Sequence, residues 1–195
     1  NGRVQVFNKD GNYLRSLETP NPSAIAISSA DEIYVGDSFS EKIRIYDSEG
    51  DQLGEFDTLG IPFDERDGPY GIAVRSDGAI AVSHAGRDFH DVVLFDRAGT
   101  VLANIPTRYE GLSILEFEFT PQPSGIAFDA LDQLYVANVG VEKFDSAGVR
   151  LSEWRADGER EGFFKSPCDG PGVHSGLWKW TCAAHITLRH VACRA

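Results

Sequence analysis

Phe7-Asn8-Lys9-Asp10-Gly11 returns as Tyr46-Asp47-Ser48-Glu49-Gly50, as Phe95-Asp96-Arg97-Ala98-Gly99 and as Phe144-Asp145-Ser146-Ala147-Gly148. The aromatic residues fall at 7, 46, 95 and 144, so successive copies are 39, 49 and 49 residues apart. Recurrence at such a spacing marks a repeat architecture. Each copy carries the chemistry of a hairpin turn. An Asp or Asn side chain bonds backbone amides further along, and Gly supplies a positive φ. The flanks alternate as strands do: Arg3-Val4-Gln5-Val6-Phe7 and Lys42-Ile43-Arg44-Ile45-Tyr46 lead in, and Gln52-Leu53-Gly54-Glu55-Phe56 leads out.

A second element opens each unit, as Pro22-Ser23-Ala24-Ile25-Ala26-Ile27, Pro69-Tyr70-Gly71-Ile72-Ala73-Val74 and Pro123-Ser124-Gly125-Ile126-Ala127-Phe128. Proline at a strand entrance gives up only a donor that an unpaired strand start can spare. The small third and fifth residues suit an innermost strand at a crowded axis. A turn follows each, then Ile33-Tyr34-Val35, Ile80-Ala81-Val82 or Leu134-Tyr135-Val136.

Four short strands in about 45 residues is the blade of a propeller. The unit from Pro22 to Phe56, with its Ile33-Tyr34-Val35-Gly36-Asp37-Ser38 and Lys42-Ile43-Arg44-Ile45-Tyr46-Asp47, resembles the NHL repeat, and the resemblance extends over residues 1–165. It implies an all-β fold of four-stranded antiparallel blades, an incomplete arc of a six-bladed ring. The domain expected over 1–167 comprises an outer half-blade (3–17), blades at 22–56, 69–105 and 123–154, and the start of another at 163–167. The missing blades are expected from a longer chain.

Residues 168–195 break the repeat. They hold all three cysteines, Trp178, Trp180 and three of the five histidines, with three basic residues and one acidic. Residues 1–167 carry the other fifteen basic and twenty-nine acidic, a net of −14. This switch reads as a misread or unstructured tail. Cys182-x-x-His185 and His190-x-x-Cys193 have zinc-type pair spacings, but only four residues separate the pairs, less than a hairpin between ligand pairs normally takes.

The net charge of −12 disfavours nucleic acid and anionic lipid as partners. No apolar run approaches the roughly 18 residues of a membrane span. Compartment is not readable, because the body of the chain has no cysteine. There is no nucleophile elbow, phosphate loop or dinucleotide fingerprint.

Asp37, His84 and Asn138 occupy one repeat position, at the end of each second strand, where successive blades approach one face of the ring. The neighbouring stretch Gly86-Arg87-Asp88-Phe89-His90-Asp91 adds Asp88 and His90. Oxygen and imidazole groups converging there suit a ligand; the structural alternative is an Asp that closes a turn. The expected function is a binding scaffold, without catalysis, that takes a protein or small ligand through loops on one ring face. The alternative is a metal-dependent propeller enzyme, lyase- or lactonase-like, with Ca²⁺ or Zn²⁺ at the channel mouth. Two histidines in the repeat region are few for a zinc lyase.

Overall fold

The computed structural model describes residues 2–58, 68–84, 91–107, 123, 125–137 and 140–154. The expected tail, the 163–167 segment, and Asp88, His90 and Asn138 lie outside them. Every element among the described residues is a strand.

The strands form four antiparallel sheets. The half-blade pairs β1 (Arg3–Phe7) with β2 (Tyr13–Glu18). The first full blade runs in order β3 (Pro22–Ile27), β4 (Ile33–Asp37), β5 (Lys42–Tyr46) and β6 (Gln52–Asp57). The second is β7 (Pro69–Val74), β8 (Ile80–His84), β9 (Asp91–Phe95) and β10 (Val101–Pro106). The third is β11 (Gly125–Phe128), β12 (Leu134–Ala137), β13 (Val141–Phe144) and β14 (Arg150–Trp154). The opening strands neighbour one another from blade to blade, β3 against β7 and β7 against β11. This is the propeller arrangement.

Side chains on a strand point alternately to opposite faces, and each face of a blade meets a different neighbour. In the first full blade Ile33 and Val35 pack with Val4, Val6 and Leu17 of the half-blade, whereas Tyr34 lies between them in sequence and packs the other way. Tyr34, Ile43, Ile45 and Phe56 meet Ile72, Ile80, Val82, Val93 and Phe95 of the second blade. The next seam holds Ala81, Val92, Leu94 and Ile105 against Leu134, Val136 and Phe144. The core is therefore a series of apolar seams between sheets.

At one end of the sheets every turn within a blade is five residues long: 8–12, 28–32, 47–51, 75–79, 96–100, 129–133 and 145–149. The mechanism is shared. The first residue's amide bonds the carbonyl of the fifth, and the fourth residue's amide bonds the carbonyl of the first. In six of the seven the first residue's side chain also accepts from the turn's amides. Asn8, Asp96, Asp129 and Asp145 take two amides each at 2.8–3.0 Å, Asp47 takes one at 2.8 Å, and the Ser28 hydroxyl takes two at 3.2 and 3.3 Å. The fourth residue is left-handed in each, either Gly (φ +81° to +94°) or Asp31 and Asp132 (φ 60° and 58°). Asx chemistry and positive φ thus also govern turns where the sequence carries no aromatic-Asp-x-x-Gly motif.

At the other end the connections vary: 19–21, 38–41, 58–68, 85–90, 107–124 and 138–140. One repeated device holds that end. Thr19, Thr58 and Thr107 follow β2, β6 and β10 and are buried. The Thr19 and Thr58 amides donate to the carbonyls of Gly2 and Glu41, the residues that precede β1 and β5, both of which have positive φ. The Thr58 hydroxyl adds a second bond to Glu41 at 2.8 Å, and that of Thr19 lies 3.1 Å from the Tyr46 hydroxyl. Thr19 and Thr58 each tie the end of an outer strand to the start of its partner. The sequence signal was available, since apolar-x-Thr recurs at 39 and 49 residues as the turn motif does.

Candidate functional site

Asp37 and His84 end β4 and β8 at the face of variable connections. The register makes them equivalent, Asp37 opposite Pro22 and His84 opposite Pro69. Alternation turns both towards the blade before their own. Asp37 shares a face with Ile33 and Val35, towards the half-blade; His84 shares one with Ile80 and Val82, towards the first full blade. They sit at one end of the ring but in successive seams.

Asp37 is fully buried. Its Oδ1 accepts the amides of Phe39 (3.0 Å) and Ser40 (3.2 Å), and Oδ2 lies 3.4 Å from Arg44 Nη2. Burial pushes its carboxyl up, but bonds from Ser40, Phe39 and Arg44 outweigh that and hold it below the usual carboxylate range. The carboxylate closes the turn into β5. Arg44 extends the network to Glu55 at 2.9 Å, and Lys42 joins Glu55 at 2.5 Å.

His84 is 1% exposed, and desolvation lowers its pKa to about 4. The imidazole is therefore neutral at physiological pH. The unfolded chain takes up a proton near pH 6.5, whereas the folded one does so only near 4. Stability is therefore expected to fall as the pH drops from 6.5 to 4, by on the order of 2–3 kcal/mol, and to be flat above that window as far as this group is concerned. Chemical denaturation at pH 7.5 and 4.5, compared with His84→Gln, checks it: the variant loses most of the difference.

Beside them the backbones come close. The Ser23 hydroxyl bridges the carbonyls of Gly36 (3.2 Å) and Pro69 (2.6 Å), and a Cβ at Gly36 would lie 3.0 Å from Pro69 Cγ. At Gly68 a Cβ would lie 2.6 Å from Ser38 Cα. The second blade's entrance is thus seated on the first blade's β4–β5 connection, whose turn Asp37 holds. Sequence reasoning missed Glu142, fully buried with Arg150 3.6 Å away, at the β13 position that Arg44 and Val93 fill in the other blades. Among the described residues no group of three or more His, Cys, Asp or Glu is placed to hold a metal ion.

No protein-family model and no curated protein matches the chain. Solved structures do. A streptogramin B lyase aligns at 18% identity and TM-score 0.60 over 80% of this chain and 48% of its own. A catalytically inactive virginiamycin B lyase from Staphylococcus aureus, with quinupristin, gives 19% and 0.60 over 83% and 51%. A protein of unknown function from Bacteroides caccae gives 16% and 0.55 over 80% and 54%. The chain spans about half the length of these structures, and at such identities the likeness is one of fold: an all-β propeller of four-stranded antiparallel blades.

Proposed function

We propose that this chain is part of an NHL-like propeller that acts as a binding scaffold, taking a protein or small ligand on the face where the blades' connections vary, with further blades of a longer chain completing a six-bladed ring. One observation carries the reading. All seven turns at one end have five residues, while the connections at the other end range from 19–21 to 107–124. Turns held to one length serve the scaffold; length variation confined to one face is where a repeat protein accommodates recognition.

Asp37 favours this reading over a metal-dependent enzyme. Its oxygens are engaged by two amides and a guanidinium, so ligating a cation would cost it the turn it closes. The lyase or lactonase alternative draws on the fold shared with lyases, with Asp37, His84, His90 and Asn138 as its candidate ligands and Ca²⁺ or Zn²⁺ as its cation.

Two measurements test the proposal. Peptides selected from a random library on the chain should, by hydrogen exchange, protect residues 38–41 and the neighbouring connections while leaving 96–100 and 145–149 unchanged; protection of the five-residue turns instead would refute the scaffold face. Calorimetric titration with Ca²⁺ and with Zn²⁺ should give no stoichiometric binding. A one-to-one isotherm lost in His84→Gln would favour the enzyme.

A further inference from the structure

The face of five-residue turns contains an opening. A cavity of about 390 Å³ lies between turns 28–32 and 75–79 of the first and second full blades, with Asp96, Arg97 and Leu102 also on its lining. That volume is at the small end of the range for ligand pockets.

Arg97 crosses this seam to Glu32 at 2.7 Å, whereas the corresponding seam one blade further on is bridged at its opening-strand turns as well. There the Ser76 amide and hydroxyl donate to Asp132 at 3.1 and 2.7 Å, and Arg75 Nη1 reaches the Ser146 carbonyl at 3.1 Å. Matching the turns position by position explains the difference. Ser29 stands where Ser76 does, but its acceptor's place, Asp132 in the third blade, is taken by Gly78 in the second. A Cβ built on Gly78 meets nothing within 4 Å. Ser28 stands where Arg75 does, and its hydroxyl is held by the amides of Ala30 and Glu32 rather than crossing the seam. Two residue choices therefore leave the space open.

The lining also selects its ligand. Arg75 pairs with Asp77 through Nε (2.9 Å) and Nη2 (2.7 Å), and Arg97 Nη2 pairs with Glu32 at 2.7 Å. Glu32 accepts the Tyr34 phenol at 2.8 Å as well. An anion would meet Glu32, Asp77 and Asp96, and a cation would meet two guanidiniums, so neither finds an unopposed partner. What remains on offer is mixed donors and acceptors, among them the hydroxyls of Ser28 and Ser29, beside the apolar surfaces of Val74 and Leu102. That combination matches a molecule with adjacent hydroxyls and C–H faces.

We propose that this cavity binds a neutral polyhydroxylated ligand, a monosaccharide or the end of an oligosaccharide, and that Gly78 is the residue that opens it. The site is on the opposite face from the variable connections and does not depend on the scaffold reading.

Amide chemical shifts recorded with glucose, galactose, mannose and maltose at about 10 mM, the regime of millimolar affinity, test it. At least one sugar should move the amides of 28–32, 75–79 and 96–97 and leave 38–41 in place. Gly78→Asp restores the serine–carboxylate pair at a position where Asp31 and Asp132 already hold left-handed φ. It should weaken the response at least tenfold, with a fall in melting temperature no larger than that of Gly78→Ala, which carries the backbone strain without the carboxylate and should keep the response. Ser29→Trp, on an exposed turn residue, should fill the opening and weaken the response as Gly78→Asp does. No response to any of the four sugars, a response that survives Gly78→Asp and Ser29→Trp, or one given by inorganic phosphate and not by the sugars would overturn the proposal.

Discussion

Phe95→Ala is expected to cost about 3–5 kcal/mol, the range for removing a buried phenylalanine where the surroundings cannot collapse. Phe95 is 1% exposed and lies in the seam between the first and second full blades, its ring centroid 5.4 Å from that of Phe56. The cavity would open between two sheets whose spacing is fixed by other contacts along the seam, so little relaxation is available. Phe7 is the same residue in the same motif and is 51% exposed. Phe7→Ala is therefore expected to cost under about 1 kcal/mol, as substitutions at exposed sites do. Urea denaturation of the two variants checks the contrast; equal losses would contradict the seam.

Gly99→Ala is expected to cost about 2–4 kcal/mol, for two reasons that act together. Its φ is +86°, a region in which an L side chain is strained by roughly 1–2 kcal/mol. A Cβ there would also lie 2.5 Å from Phe56 Cβ, and overpacking of this kind adds about 1–3 kcal/mol. The contact repeats from blade to blade. The Cβ of Gly50 would meet Leu17 at 2.8 Å and that of Gly148 would meet Ile105 at 3.0 Å, each on the last strand of the preceding blade. Gly11 has φ +82° but nothing within 4 Å of its Cβ position. Gly11→Ala should therefore cost only the backbone part. Thermal melts read the difference directly, at roughly 2–4 °C per kcal/mol for a chain of this size.

These pairs show what the sequence could reveal. Turn chemistry is local: Asn8, Asp47, Asp96 and Asp145 bond amides within five residues, so the motif announced the hairpins and their spacing announced the repeat. Burial is not local here. Phe7 and Phe95 read identically, and Gly11 and Gly99 do too, yet whether each is covered depends on a neighbouring blade some 40 to 50 residues away in the chain. The same limit hid the second task of the motif glycine, which lets each outer turn sit down on Leu17, Phe56 or Ile105. The cavity is not legible in the sequence, because it depends on Gly78 standing across the seam from Ser29 where Asp132 stands across from Ser76.

The candidate site was legible as a position more than as a mechanism. Equivalence of Asp37 and His84 followed from the repeat, and the register bears it out. Their placement in successive seams follows from their lying on successive blades, each facing the blade before its own, which is known only once the packing partner of each face is known. Thr19, Thr58 and Thr107 recur at the spacing of the repeat, but a threonine after a strand does not by itself specify burial. Thr19 and Thr58 bond the residues that precede the partner strands, Gly2 and Glu41.

The central claim is that the blades stack in chain order with their opening strands side by side. Methyl NOE spectroscopy on Ile/Leu/Val-labelled protein tests it most directly. The account predicts cross-peaks linking Ile43 and Ile45 to Ile72 and Val82, and Leu94 and Ile105 to Leu134 and Val136, with none between Ile43 and Leu134. Cross-peaks joining the first and third full blades, or none across either seam, would contradict it.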